Sequence, residues 1–446
     1  MSDSAPAPGL IVAAPASGCG KTVFTLGLLR HWASSGVAVR SAKVGPDYID
    51  PAFHAAASGQ PCLNLDPWAM RQETLASAIA VLSRSAEVIV CEGVMGLFDG
   101  ATASEGSTAD LAEATGWPVV LVLDVCAQAA SCAAIVRGFA THRPGVSVAA
   151  VVFNRVGSER HEAVLREACA LATPHVRVVG ALPRAENLRL PERHLGLVQA
   201  MEHPDLPTFL DQAAAMIARY VDTAGLRALA RPALRFTPGH RLPPLPPLGQ
   251  CIAIARDAAF AFCYPLVIEG WRAHGAEILP FSPLADEAPA ARADAVYLPG
   301  GYPELHADRL AGNARFLDSL RAATERGATV FGECGGYMVM GDGLIDAEGG
   351  RHAMAGLLRL ETSFADRRLH LGYRDATLAT HGPLGAAGAR FRGHEFHYAR
   401  TLREGPGQPL FVCRNAEGAD LGTTGLADGK VIGSFVHLID QVGPES

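Results

Sequence analysis

Up to about residue 184 the chain alternates short, almost wholly apolar runs with longer segments whose apolar residues recur every three to four positions. LIVAAP, VAVRSAKVG, EVIVCEG, PVVLVLDV, VSVAAVVFN and VVGALPR are rich in β-branched residues and predict strands, whereas KTVFTLGLLRHWASSG and RHEAVLREACALA have helical spacing. Strands that are apolar on both faces and separated by helices predict a parallel sheet covered on both sides. The texture breaks at RPALRFTPGHRLPPLPPLGQ, which has too much proline for a helix or a central strand. Alternation then resumes with CIAIARD, AEILPFS, DAVYLPGG and ATVFGEC, and the stretch PLFVCRNAEGADLGTTGLADGKVIGSFVHL predicts antiparallel strands joined by glycine turns. The expected organisation is two α/β domains, residues 1–230 and 250–446, joined by a proline-rich linker over 231–249.

Composition narrows the partners. A chain of 446 residues, 49% hydrophobic, exceeds one typical core and describes ordinary globular domains. A formal charge of −7 without a long basic stripe argues against nucleic acid. None of the ten cysteines is paired as CxxC or given zinc-finger spacing, so they read as small buried hydrophobes in a reducing compartment. The N-terminus lacks a basic segment ahead of its apolar part, and WPVVLVLDV is too short to span a bilayer. A cytoplasmic protein without a membrane partner is expected.

Two stretches carry chemistry. The first is ASGCGKT, between a predicted strand and a predicted helix, which is the setting of a phosphate-binding loop. Backbone N–H groups of Ser17, Gly18, Cys19, Gly20 and Lys21 could wrap phosphate oxygens, Lys21 would reach the β- and γ-phosphates of ATP, and the Thr22 hydroxyl would bind Mg²⁺. Pro15 stands where the strict pattern has its first glycine. Carboxylates follow two other strands: Asp47 and Asp50 in KVGPDYIDP, Glu92 and Asp99 in CEGVMGLFDG. Strand C-termini of an open parallel sheet border one crevice, and Mg²⁺ takes one or two carboxylates beside phosphate oxygens.

The second stretch is ATVFGECGG, where a strand would deliver Cys334 into a tight turn with a helix behind it, as at a nucleophile elbow. The helix N-terminus is expected to lower the thiol pKa, and the Gly335 N–H to face a developing oxyanion. His437, at the end of a strand-like run, is the candidate base, and LPGGYPE offers Gly301 as a second oxyanion donor.

The cysteine set resembles the class I glutamine amidotransferases, in which a cysteine takes the γ-glutamyl group and ammonia leaves. Two residues after the histidine, where that family usually has an acid, stands Ile439, with Asp440 one further on. The resemblance is to the branch working with Cys and His alone. An ammonia source needs an activated acceptor, and a phosphate loop supplies one: ATP converts an inert carboxylate into an acyl phosphate that ammonia displaces.

Taken with LRLPERHLGL, ARDAAFAFCYP, LPGGYPELH and GSFVHL, these motifs resemble, over almost the whole chain, the cobyrinic acid or hydrogenobyrinic acid a,c-diamide synthase family. That resemblance implies a dethiobiotin-synthetase-like parallel-sheet domain that phosphorylates two corrinoid carboxylates, and a glutamine amidotransferase-like α/β domain that supplies ammonia. It implies L-glutamine, ATP and a corrinoid acid as partners, Mg²⁺ held with Thr22, Asp47 and Glu92, and a homodimer. Tyr48, Ile49, Asp50 and Asp99 would meet the corrinoid, and Asn154 would be either an adenine contact or a strand-end turn residue. Arg193, His194 and Asp257 mark the family without announcing a role. Cobyric acid synthase or another tetrapyrrole amidotransferase is the alternative within the class; a P-loop regulatory ATPase with a ligand-binding second domain is the alternative outside it.

Overall fold

The computed structural model describes residues 6–193, 196–234 and 243–442. The chain divides into two compact units, Met1–Trp68 with Leu75–Arg241 and Ala69–Thr74 with Leu242–Ser446.

The first unit is built on seven parallel strands: β1 (Gly9–Ala13), β2 (Val39–Val44), β3 (Cys62–Leu65), β4 (Val88–Glu92), β5 (Val119–Asp124), β6 (Val148–Val156) and β7 (Arg177–Pro183), in the order β3-β2-β4-β1-β5-β6-β7. Strands β1 and β4 are buried at every position, which is why they read as unbroken apolar runs. Strand β3 was not predicted, because four residues are too few to show a period. Register sets Val12 beside Glu92 and Lys43 beside Glu92, so the C-terminal ends of β1, β2 and β4 lie together. Helix α1 (Lys21–Ser34) starts immediately after the β1 loop, and α2 (Asp50–Ser58) after the β2 loop.

Labelling on through the strands of its large sheet, the second unit has β8 (Cys251–Ala255), β9 (Glu277–Phe281), β10 (Ala295–Leu298), β11 (Thr329–Glu333), β12 (His370–Leu378), β13 (Arg390–His397), β14 (Gln408–Arg414), β15 (Asp420–Asp428), β16 (Val431–Ser434) and β17 (Val436–Gln441). Their order is β9-β8-β10-β11-β16-β15-β14-β12-β13-β17. The first five are parallel and the remainder antiparallel. The expected antiparallel C-terminal strands are present, although β16 runs parallel to β11 at the sheet centre.

Both ends of the proline-rich stretch are fastened. Arg231 exchanges backbone hydrogen bonds with Gly9, and the carbonyls of Leu245 and Pro246 accept from the Trp271 indole. Residues 235–242 of that stretch lie outside the described residues. Among the described residues, no helix is long and apolar enough to cross a membrane.

Candidate active sites

The loop between β1 and α1 turns at Gly18 (φ 77°) and Gly20 (φ 93°), in the left-handed region that glycine enters without steric cost. Ser17 and Gly18 are exposed, Cys19 and Gly20 half-buried, and Lys21 opens the helix. The Lys21 Nζ arches back to donate to the Met95 carbonyl at 2.7 Å, joining the phosphate loop to the loop after β4. Burial, above all, lowers the Lys21 pKa. Asn154 braces the loop from β6: its Nδ2 donates to the Cys19 carbonyl at 2.9 Å and its Oδ1 accepts from the Arg155 N–H. The side chain thus does the work of a turn residue.

Behind the loop lies a buried ionic cluster centred on Glu92, which is fully buried. The Thr22 hydroxyl donates to Glu92 Oε1 at 2.7 Å, Lys43 Nζ to the same oxygen at 2.9 Å, and His54 Nε2 lies 2.7 Å from Oε2. Lys43 also pairs with Asp50 at 2.5 Å. Burial opposes charge on Glu92, but Lys43 and His54 outweigh it and hold the carboxyl well below the usual range. Burial likewise opposes charge on Lys43, and Asp50 and Glu92 reverse it, keeping the ammonium protonated. Burial and then Asp47 push Asp50 upward against the pull of Lys43. The Thr22 hydroxyl and Glu92 carboxylate form a hard-oxygen pair that fits Mg²⁺. Asp47 is engaged in a turn instead, its Oδ1 accepting from the N–H groups of Ile49 and Asp50. Tyr48 and Ile49 are half-buried beside that turn, and Asp99 is exposed, its Oδ2 accepting from Gly96 N–H.

Lys43 and His54 were not singled out in the sequence. Lys43 sits inside the quoted KVGPDYIDP, but its role appears only when β2 and β4 become neighbours. Of the family markers, His194 lies outside the described residues. Asp257 is a structural clamp, its Oδ2 accepting from Ser282 Oγ at 2.9 Å and Leu284 N–H at 2.8 Å.

In the second unit, β11 ends at Glu333 and Cys334 follows with φ 46° and ψ −103°, a strained conformation for a residue with a Cβ. The elbow is held from two sides. Cys334 N–H donates to the Ser434 carbonyl at 2.8 Å, and Leu438 N–H donates to Glu333 Oε1 at 2.9 Å, with the Tyr297 hydroxyl on Glu333 Oε2 at 2.5 Å. The residue before the cysteine is thereby tied to the residue after His437. Glu333 is another group missed in the sequence. His437 is fully buried against the backbone of Gly300, where an added Cβ would lie 2.2 Å from its Cε1. Burial, reinforced by His394 and His397, lowers the His437 pKa to about 3, so the ring is neutral at pH 7. An added Cβ on Gly335 would lie 3.0 Å from Gly301 N, so the two proposed oxyanion residues share one corner.

The thiol differs from expectation. Cys334 is 2% exposed, its Sγ 3.8 Å from the Phe396 carbonyl. Burial, with Glu304 adding to it, pushes the thiol far above its ordinary pKa, and the hydrogen bond from Gly335 N–H recovers only part. The helix behind it, Gly335–Met340, has six residues and is too short to win that contest. Asp440 does not stand beside His437 as a third triad member: a register shift opposite Arg392/Gly393 separates them, and its carboxylate is held by Arg71.

Nearby, His370, Glu395 and His397 bring ligand-type atoms within 4.8 Å. The two imidazoles stack in parallel, 4.6 Å apart at 4°, so their in-plane lone pairs run side by side and do not converge on a metal. Glu395 is already bonded to Arg374 at 2.7 Å and His397 at 2.9 Å.

A strand–loop–helix phosphate site on a parallel sheet and a cysteine elbow on a mixed sheet define a nucleotide-binding module fused to an amidotransferase module. Family models agree: residues 10–198 match the CobQ/CobB/MinD/ParA nucleotide binding domain and residues 251–442 the CobB/CobQ-like glutamine amidotransferase domain. The chain is 53% identical over 437 residues to the hydrogenobyrinate a,c-diamide synthase of Rhizobium meliloti, covering 97% of this chain and 99% of the relative. It is 54% identical over 438 residues to that of Brucella abortus, covering 98% and 99%, and 52% identical over 435 residues to that of Rhodobacter capsulatus, covering 97% and 98%. The chain belongs to the hydrogenobyrinate a,c-diamide synthase family.

Proposed function

We propose that the protein amidates the a and c side-chain carboxylates of hydrogenobyrinic acid, using ATP and nitrogen from glutamine. The corrinoid substrate is the one in the name of relatives such as that of Rhizobium meliloti, 53% identical over 437 residues. The observation carrying the use of glutamine is the strained Cys334 elbow, tied through Glu333 to the residue after a neutral His437. In the glutaminase half-reaction the Cys334 proton passes to His437 as sulfur attacks the glutamine carboxamide carbon. The Gly335 and Gly301 N–H groups bear the oxyanion, His437 returns the proton to departing ammonia, and water hydrolyses the thioester to glutamate. Burial raises the free thiol's pKa, which favours passing its proton to His437 together with attack.

In the ligase half-reaction a corrinoid carboxylate attacks the γ-phosphorus of ATP, releasing ADP and leaving an acyl phosphate. Ammonia then displaces phosphate to give the amide. Lys21 and the N–H groups of Ser17 to Gly20 hold the phosphates. Thr22 and Glu92 would hold Mg²⁺, which when bound would offset charge on the triphosphate. Lys43, between Glu92 and Asp50, is the cation those two carboxylates share. Tyr48, Ile49, Asp50 and Asp99 meet the corrinoid, and Asp47 holds the turn that presents them. Ten unbridged cysteines favour a cytoplasmic setting, and a homodimer follows from the family resemblance.

Cys334→Ala tests the division of labour. Glutamine hydrolysis and glutamine-dependent amidation are expected to disappear while free ammonia still supports amidation of hydrogenobyrinic acid, followed by product mass. Full glutamine use by the variant refutes the nucleophile. Faster turnover of the cobalt-containing acid in the parallel assay refutes the substrate.

A further inference from the structure

Asp440 is the acid nearest in sequence to the expected third triad position, and the structure gives it a different partner. Its carboxylate is fully buried. Arg71 grips it as a fork, Nη2 to Oδ1 at 2.7 Å and Nε to Oδ2 at 3.1 Å, and the Arg71 backbone N–H adds a third bond to Oδ2 at 2.7 Å. The same guanidinium donates to the Pro243 carbonyl at 3.2 Å. Gln441 N–H donates to Oδ1 at 3.0 Å. Arg71 belongs to Ala69–Thr74, a six-residue segment that packs as part of the second unit, although its sequence neighbours Trp68 and Leu75 belong to the first.

The consequence runs along β17. Leu438 pairs with Gly393 and Asp440 with Arg392, leaving Ile439 as the extra residue of a bulge. A bulged edge strand has fewer ladder bonds to fix it, so side-chain anchors matter more. His437 lies in the stretch between the Ser434 carbonyl, held by Cys334 N–H, and Asp440, held by Arg71. Glu333 fastens the intervening Leu438 N–H. A general base must stay within hydrogen-bond reach of the thiol, and displacement by about 1 Å can lower a rate about a hundredfold.

We propose that Arg71 is a positioning residue of the glutaminase: by gripping Asp440 it fixes the strand that carries His437, and Asp440 serves as an anchor, not as a triad acid. The inference rests on the reading of Cys334 and His437 as nucleophile and base. Arg71 thus serves the amidotransferase chemistry from within the sequence of the ligase half.

The test uses the full chain as Arg71→Ala, Arg71→Lys, Asp440→Asn, the Arg71→Ala/Asp440→Asn double variant and His437→Ala, each assayed for glutamate release and for ammonia-supported amidation. Arg71→Ala is expected to lower kcat for glutamine at least tenfold, with KM and the ammonia-supported rate within twofold of the parent. Arg71→Lys keeps the charge without the fork and should recover part of the loss. Asp440→Asn should match Arg71→Ala, and the double variant should lose no more than the larger single one. A normal kcat in Arg71→Ala beside an inactive Asp440→Asn makes Asp440 a triad acid and overturns the proposal. So does a parallel fall in the ammonia-supported rate, which marks a general structural role. Should Arg71→Ala fail to fold, an unchanged kcat in Arg71→Lys overturns it. Normal hydrolysis by His437→Ala overturns the underlying assignment of the base, whereas an inactive His437→Ala beside an intact Arg71→Ala overturns the Arg71 proposal alone.

Discussion

Gly300→Ala is a one-carbon perturbation whose size follows from the structure. An added Cβ would lie 2.2 Å from His437 Cε1, where ordinary contact begins at 3.4 Å, so the imidazole must retreat by about 1.2 Å. A backbone retreat in its place would stretch the hydrogen bond that the Gly300 carbonyl accepts from Phe262 N–H at 2.9 Å. Gly300 is not among the residues with positive φ, so alanine adds bulk without backbone strain. A shift of that size at a general base predicts a loss of about a hundredfold in glutamine hydrolysis, roughly 2.7 kcal/mol of transition-state stabilisation. Steady-state glutamate release measures the loss, and ammonia-supported amidation on the same preparation reports the ligase half, which should be unaffected. A variant hydrolysing glutamine at more than half the parent rate would show that His437 is not held as described, or is not the base.

Two further outcomes concern the first unit. Lys43→Met strands Asp50 and Glu92 without their shared cation, so amidation should be lost with either nitrogen source and stability should fall by about 3–5 kcal/mol, read by urea denaturation; unimpaired amidation from ammonia would remove Lys43 from the site. Burial pulls the His54 pKa down, but Cys62 and Glu92 outweigh it and lift it to about 10, so its stabilising contribution is complete below its ordinary 6.5 and disappears as pH rises through 10. Denaturation between pH 6.5 and 10 should show a loss on the order of a few kcal/mol that His54→Gln flattens; parallel losses in both proteins would count against the pairing.

Much of this architecture was readable because it is local. The P-loop needs only a strand, two glycines and a helix start in order, and the elbow needs only a strand leading into Cys334 and two glycines. Lys43 and His54 were invisible for the opposite reason: they act on Glu92 from other elements, and only the adjacency of β2 and β4 and the return of α2 bring them together. Strands β12 and β13 were not predicted, because HLGYRDATL and RFRGHEFH mix charged residues into both faces, so Arg374, Glu395 and His397 went unnoticed. The protonation of Cys334 depends on how completely the surrounding strands cover it, which no short motif records.

That cover reaches beyond turnover. Thiolates are the form that peroxide converts to sulfenic acid and that electrophiles alkylate, and exposure sets how fast either happens. A sulfur kept protonated and only 2% exposed meets both agents slowly. Resistance of the nucleophile to oxidation and alkylation thus has its origin in the burial of a single side chain.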